Sequence, residues 1–209
     1  MHHPTLTIII PTFNERDNIA PLVKEVSQAL AGIDWAIFFF DDNSNDGSSE
    51  YLFSQTKTFD FTLHKLCENL GSAYSRNLAL SLLSREYFIF VDSDDQIRLN
   101  SLELALQHSI ESGADLNKFP YILMEEKSKK LVSYGTDIHN SISEIIVTRD
   151  KMLRGLGYWR FIYKSEPVKS ASIFFPTFSL AGGFFILDDF FWLIGLISSK
   201  KLIFRIIIL

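Results

Sequence analysis

The stretch 88-FIFVDSDDQI-97 changes character at its midpoint. Four apolar residues, Phe88 to Val91, run into three carboxylates within four positions, Asp92, Asp94 and Asp95. A short continuous apolar run is what a strand buried on both faces requires. Carboxylates set so closely repel one another unless water solvates each of them or a cation sits between them. Two readings of 92-DSDD-95 therefore compete. One is a solvated turn that also caps a helix starting near Asn100. The other is a seat for a hard divalent cation, because carboxylate oxygens suit Mg2+ or Mn2+, and such ions take one or two protein carboxylates while a phosphate supplies further oxygens.

Working outward, the chain repeats the same alternation. Residues 5–11 (TLTIIIP) and 36–40 (AIFFF) are further apolar runs, and 61–66 (FTLHKL) alternates as a third strand ahead of the one at 87–91. Between them lie segments of helical spacing. Ile19, Leu22, Val23, Val26 and Leu30 recur at three- and four-residue steps. Asp17 is expected to cap that helix, with Pro21 near its first turn, where proline is tolerated. Residues 48–55 read as a short helix and 72–83 as a longer one carrying Leu78, Leu82 and Leu83. This order implies right-handed βαβ crossovers, hence an α/β fold with a mostly parallel central sheet and helices on both faces.

Beyond residue 112 the pattern loosens. A strand is expected over 121–124, a charged turn at 125-EEKSKK-130, short strands across 131–147 and a helix over 148–156 opened by Thr148. The stretch 173–197 is strongly apolar with two aspartates embedded in it. The expected organisation is one domain over 1–209, a nucleotide-binding half at 1–112 followed by a more irregular half at 113–209.

Composition narrows the class. With 209 residues, 47% hydrophobic and 19 phenylalanines, the chain can bury a sizeable core. A net charge of -5 argues against a nucleic-acid partner, which calls for a basic patch or stripe. Cys67 is the single cysteine, which excludes an internal disulfide and a thiolate cluster and suits a reducing, cytoplasmic setting. MHHPTLTIII has no cationic region ahead of an apolar block, so no signal peptide is expected. Nor is a membrane span, for which about 18–20 uninterrupted apolar residues are needed. In 190-FFWLIGLISSKKLIFRIIIL-209 the apolar run is broken by Lys200, Lys201 and Arg205, and a buried helix followed by a buried strand is expected. A peripheral contact with a membrane surface is the alternative for this segment.

In an open parallel sheet a ligand lies beyond the carboxyl ends of the strands. There the chain gathers 11-PTFNE-15, 41-DDNSNDGS-48 and 92-DSDD-95, with 69-NLGSAYSRN-77 following the third strand. Loops rich in Asn, Asp, Ser and Gly are ordinary singly, but their joint occurrence points to a ligand. No Walker-type loop and no glycine-rich dinucleotide fingerprint is present. Phosphates would then be held by a metal, by Arg76 and by backbone amides, as for a nucleoside diphosphate bound through its cation.

In order and spacing these four segments resemble the family 2 glycosyltransferases of the GT-A fold, over residues 5–100. The resemblance extends through 159-WRFIYKSE-166, 173-IFFP-176 and 188-DDFFWL-193. It implies metal-dependent, inverting transfer from a nucleotide-sugar, in the first place a UDP-sugar, to a saccharide or lipid-linked saccharide acceptor. Bacterial cell-surface polysaccharide or lipopolysaccharide synthesis is the implied setting, in the cytoplasm or at the inner face of the membrane. Pro11, Thr12, Asn14 and Glu15 would line the uridine pocket, Asp42 would accept a hydrogen bond from uracil N3, and Asp41 would shape its turn. Gly71, Arg76 and Asn77 would sit near the base and diphosphate. The DxD motif would be Asp92-Ser93-Asp94, with Asp94 the direct metal ligand, Asp92 directed toward ribose or metal-bound water, and Asp95 able to exchange with either. In 188-DD-189, Asp189 takes the place of the catalytic base and Asp188 that of the family's usual glutamate, so either could be the base. Tyr158 and Trp159 are either an acceptor-stacking platform or core aromatics. No histidine follows His139, so a late histidine ligand found in some relatives is absent.

The chemistry asked of these residues is proton removal from the acceptor and charge neutralisation on the leaving diphosphate. An acceptor hydroxyl needs a positioned carboxylate to take its proton, and the apolar surroundings of Asp189 make it a stronger base than a solvated aspartate. Three rivals remain. A sugar-nucleotide pyrophosphorylase shares the sheet but has a glycine-rich basic loop where this chain has PTFNERDN. A phosphoacceptor receiver domain is smaller, and Lys118 matches its lysine poorly. A catalytically inactive, nucleotide-binding relative of the transferases is the third.

Overall fold

The computed structural model describes residues 6–30, 33–119, 123–124, 131–132, 158, 161–177 and 204–206. The strand β1 (Leu6–Thr12) is buried along its whole length, as its unbroken apolar run requires. It pairs in parallel with β2 (Trp35–Asp41) on one side and β4 (Tyr87–Phe90) on the other. The third strand, β3 (Phe61–Lys65), adds in parallel to β2. Alternate residues of β1 serve opposite layers. Leu6, Ile8 and Ile10 join one core cluster, with Phe39 and Ile89, while Ile9 joins the other, with Phe40, Phe88 and Phe90.

Helices cover both layers. On the first lie α1 (Ile19–Ala29), α2 (Ser48–Gln55) and α4 (Ser101–Ser112), and on the second α3 (Ser72–Leu82) and α5 (Ser165–Ala171). The buried stripe of α1 is Ile19, Leu22, Val23, Val26 and Ala29. Its cap position is Asn18, not Asp17, and Asn18 makes no side-chain cap bond; it donates instead to Glu15 at 2.5 Å. Asp17 stays exposed, because the turn over 15–18 already closes through the Glu15 carbonyl, which accepts from the N–H of Asn18 and of Ile19.

The second half completes the same sheet. Its strands are β5 (Leu116–Lys118), β8 (Phe161–Lys164) and β9 (Phe204–Ile206), giving a seven-stranded order β3-β2-β1-β4-β8-β5-β9. β8 runs antiparallel to both β4 and β5, and the other pairings are parallel. The fold is therefore α/β with a mostly parallel sheet and helices on both faces, as expected. A separate hairpin pairs β6 (Leu123–Met124) with β7 (Leu131–Val132). β5, β8 and α5 had no counterpart in the sequence reading. β5 is three residues long and buries Asn117 and Lys118, so neither length nor polarity marks it as a strand. The helix expected over 148–156, the apolar stretch from 178 to 197, and all of 198–209 except β9 lie outside the described residues.

Because β8 opposes β4, its leading end comes back to the edge where β1, β2 and β4 finish. Tyr158, three residues ahead of β8, thus arrives beside the carboxylates that close β4.

Candidate active site

Two loops at that edge are laced together. Asn14 takes a left-handed backbone (φ 57), which asparagine tolerates better than most residues. In that pose its N–H donates to Ser44 Oγ at 2.9 Å and its Oδ1 accepts from the N–H of Asn45 at 2.9 Å. The next two amides continue the seam: Glu15 N–H donates to Ser48 Oγ at 3.0 Å and Arg16 N–H to Asp46 Oδ2 at 3.0 Å. Asp41, fully buried, accepts from Ser44 Oγ at 2.5 Å and Ser44 N–H at 3.3 Å, which folds the turn on itself. Pro11 and Thr12 end β1 as buried residues beneath this seam. Asp46, Ser44 and Ser48 were not singled out in the sequence; their only signal was an Asn/Asp/Ser-rich loop.

Asp42 is also buried, and both its oxygens are engaged. They accept the N–H groups of Leu70 at 2.7 Å and Gly71 at 2.8 Å. Gly71 stands at φ 85, ψ 159, a region open to glycine and strained for any residue with a Cβ. The Asp42 carboxylate thus fixes the entry into α3, and each oxygen keeps a second lone pair for another donor.

α3 delivers Arg76 and Asn77 to different partners. The Asn77 amide donates to the Phe175 carbonyl at 2.8 Å and its Oδ1 accepts the Phe175 N–H at 2.8 Å, so it clamps 173–177 to the helix rather than facing a ligand. Arg76, 5% exposed, sends Nη2 to Asp92 Oδ1 at 3.3 Å and to the Tyr158 hydroxyl. Its guanidinium lies 4.1 Å from the centre of the Tyr158 ring. The Tyr158 O–H reaches Asp92 Oδ1 at 2.8 Å and Oδ2 at 3.0 Å. Tyr158 is a core aromatic, set edge-on to Phe90 and Phe175, so it does not form an acceptor-stacking platform.

Beyond Asp92 the chain turns outward. Ser93 is buried, whereas Asp94 and Asp95 are exposed. These carboxylates lie outside the cap of α4, where Asn100 stands left-handed (φ 60) without a side-chain cap bond. Partial withdrawal from water, then the charges of Asp92 and Asp94, push the Asp95 carboxyl up to about 6, even though its surface remains solvent-exposed. Mutual repulsion of this kind is what a bound cation relieves. Among the described residues no three His, Cys, Asp or Glu side chains converge as a ready-made metal cage. A pair of exposed carboxylates completed by phosphate oxygens fits Mg2+ or Mn2+, which keep few protein ligands. A cavity of about 680 Å3 between α2 and β3, lined by Ser49, Phe53, Phe61, Leu63 and Lys65 among others, contains none of these groups. Asp188, Asp189 and Trp159 lie outside the described residues.

The sequence over residues 7–176 matches the family described as Glycosyl transferase family 2. The chain belongs to that family. This glycosyltransferase-family chain is 32% identical over 130 residues to a Bacillus subtilis protein named as a glycosyltransferase of teichuronic acid biosynthesis, covering 61% of the chain and 51% of the relative. It is 27% identical over 203 residues to the poly(ribitol-phosphate) beta-glucosyltransferase of Bacillus spizizenii, covering 94% of the chain and 30% of the relative. The chain spans about half the length of the former relative and under a third of the latter. Among solved structures, residues 1–349 of Staphylococcus aureus TarS in complex with UDP-GlcNAc superpose with a TM-score of 0.78 at 19% identity, over 97% of this chain and 56% of that one. At that identity the likeness is one of fold, the GT-A arrangement. Among the described residues, no helix of this family 2 chain is long and apolar enough to cross a membrane.

Proposed function

We propose that the chain transfers a sugar from a nucleotide-sugar, a UDP-sugar in the first instance, to a hydroxyl of a saccharide or lipid-linked saccharide, with inversion at the anomeric carbon. The observation that carries the proposal is the meeting of four separate segments at one sheet edge. There Asp42 anchors the loop at Leu70 and Gly71, the seam joins 14–16 to 44–48, and Asp94 and Asp95 project into solvent. Family membership supports the donor class, and the UDP-GlcNAc complex of a protein of like fold supports uridine in particular. The polyol-phosphate and teichuronic acid relatives support a cell-surface polymer as the product.

In this reading Pro11, Thr12, Asn14 and Glu15 frame the nucleoside, and Asp42 offers its remaining lone pairs to the uracil. Asp94, with Asp95 or Asp92, holds the divalent cation. When bound, that ion supplies positive charge where the leaving diphosphate develops negative charge. Arg76 adds its own charge from beneath Asp92, at short range and shielded from water. Asp189, or Asp188 beside it, takes the proton from the acceptor oxygen as that oxygen bonds to the anomeric carbon. In the same displacement the bond from that carbon to the diphosphate oxygen breaks, and the nucleoside diphosphate leaves with the electron pair. One displacement inverts the centre, and no second nucleophilic carboxylate is needed.

The test is UDP release from a panel of UDP-sugars with Mn2+ and a saccharide acceptor. The wild type is expected to release UDP from at least one donor. Asp189→Asn is expected to release it about 10²–10⁴-fold more slowly, the usual worth of a positioned base. Wild-type protein that binds UDP yet turns over no donor would identify an inactive nucleotide-binding module instead.

A further inference from the structure

Asp92 is held from behind more firmly than a solvated carboxylate needs. Two cooperating groups from distant parts of the chain reach it: Arg76 on α3 and Tyr158 ahead of β8. The phenol spans both oxygens, while the guanidinium lies across the phenol ring and reaches one oxygen. Tyr158 is itself immobilised. Its ring meets Phe90 at 5.5 Å and Phe175 at 5.7 Å, both edge-on, and Phe175 is tied to Asn77 through its backbone. The Asp92 side chain nevertheless stays 36% exposed, in a loop whose Asp94 and Asp95 are exposed as well. A carboxylate gripped on one side and open on the other has a single useful direction. Left ungripped, it would rotate, and its charge would add to the repulsion around Asp94.

We infer that Tyr158 is a positioning residue for donor binding: with Arg76 it fixes the Asp92 carboxylate toward the cation-borne diphosphate of the donor. The inference rests on the transferase reading above and adds to it a residue from outside the four loop segments. Tyr158 touches neither donor nor acceptor; it acts through Asp92. Arg76 shares that task, which accounts for its burial where a direct phosphate ligand would be open to solvent.

The experiment compares wild type, Tyr158→Phe, Asp92→Asn and the double variant. UDP affinity with Mn2+ is measured by calorimetry, uridine affinity without metal by ligand-observed NMR, and folding by thermal melting. Tyr158→Phe keeps the ring and removes only the hydroxyl, so a cooperative melt is expected. Its UDP affinity with Mn2+ should fall about tenfold, in line with loss of one hydrogen bond to a charged group. Its uridine affinity should not change, and the double variant should bind no more weakly than Asp92→Asn alone. Equal losses for uridine and for UDP with Mn2+, or losses that add in the double variant, would overturn the inference, since a merely structural tyrosine behaves that way. If Tyr158→Phe fails to fold, Arg76→Lys takes its place, keeping the charge without the planar fork, and must show the same selective loss. Wild-type protein with no affinity for UDP overturns the transferase reading first, and the inference with it, whereas wild-type binding that Tyr158→Phe leaves intact overturns the inference alone.

Discussion

His64 enters the sheet as an aromatic ring rather than as a cation. Its imidazole stacks on Phe40 with centroids 4.8 Å apart and planes 10° apart, and Phe38 meets it edge-on at 6.0 Å. Burial holds its pKa below the ordinary 6.5, because the charged form loses water in that stack. The folded chain thus binds a proton less readily than the unfolded chain does. The stability this contributes is present above pH 6.5 and is lost as pH falls through the lowered value. His64→Phe should keep the stack and remove the titration. Between pH 7.5 and 5 the urea midpoint of the wild type should then fall further than that of the variant. Equal slopes would show that folding leaves the His64 pKa unchanged. Residue-scale reading of the sequence succeeded on kind and failed on partner. Asp41 and Asp42 stood out as polar groups after an apolar run, but nothing local says that Asp42 meets amides 28 and 29 positions on. Arg76 stood out as a cation near acids, while its burial on Tyr158 depends on a residue 82 positions away.

At the scale of elements, α2 depends on a residue that lies just outside it. Gly47 occupies the cap position, left-handed at φ 91, and has no side chain to offer. Asp46 supplies what is missing. Its Oδ1 accepts from the Ser48 N–H at 2.9 Å and Ser48 Oγ at 2.6 Å, while Oδ2 holds the Arg16 N–H. Slight burial opposes the charge, but the hydrogen bonds from Ser48 and Arg16 prevail and hold the Asp46 carboxyl below its ordinary value of 3.8. Its contribution is present above that value and is lost as pH falls through the lowered one. Asp46→Ala should therefore cost about 0.5–1 kcal/mol at pH 7, the lower part of the range for lost caps because the site is exposed. The deficit should shrink toward pH 2 in chemical denaturation; a deficit constant with pH would mean that the carboxylate charge contributes nothing. Elements with strong local signals were legible, α2 to its end residues and β1, β2 and β4 as unbroken apolar runs. β5 and β8 were not. β8 carries a strand-favouring run, Phe161-Ile162-Tyr163, too short to stand out, while β5 has no such signal; β4 gives β8 its edge and β8 gives one to β5.

For the whole molecule, the sheet acts as a device for concentrating negative charge. Parallel strands finish together, so β2 brings Asp41 and Asp42, and β4 brings Asp92, Asp94 and Asp95, to the same edge of a chain whose net charge is already -5. Burial and backbone bonds settle Asp41 and Asp42, and Arg76 offsets Asp92, which leaves Asp94 and Asp95 as the pair without an ion-pair partner among the described residues. A divalent cation carrying a diphosphate would bind the folded chain and not the unfolded one, since only folding assembles that edge. Ligand at a hundred times its Kd then adds about 2.7 kcal/mol of stability. For a chain of this size each kcal/mol moves Tm by about 2–4 °C, so UDP with Mn2+ should raise the melting temperature by roughly 5–10 °C. Chelation with EDTA should reverse the rise. Asp94→Ala should melt near the wild type or slightly above it without ligand, because it removes a repulsive charge, and should show little of the ligand-induced gain. Asp94→Ala that gains as much as the wild type from UDP and Mn2+ would place the cation elsewhere and undo the assignment of this edge as the donor site.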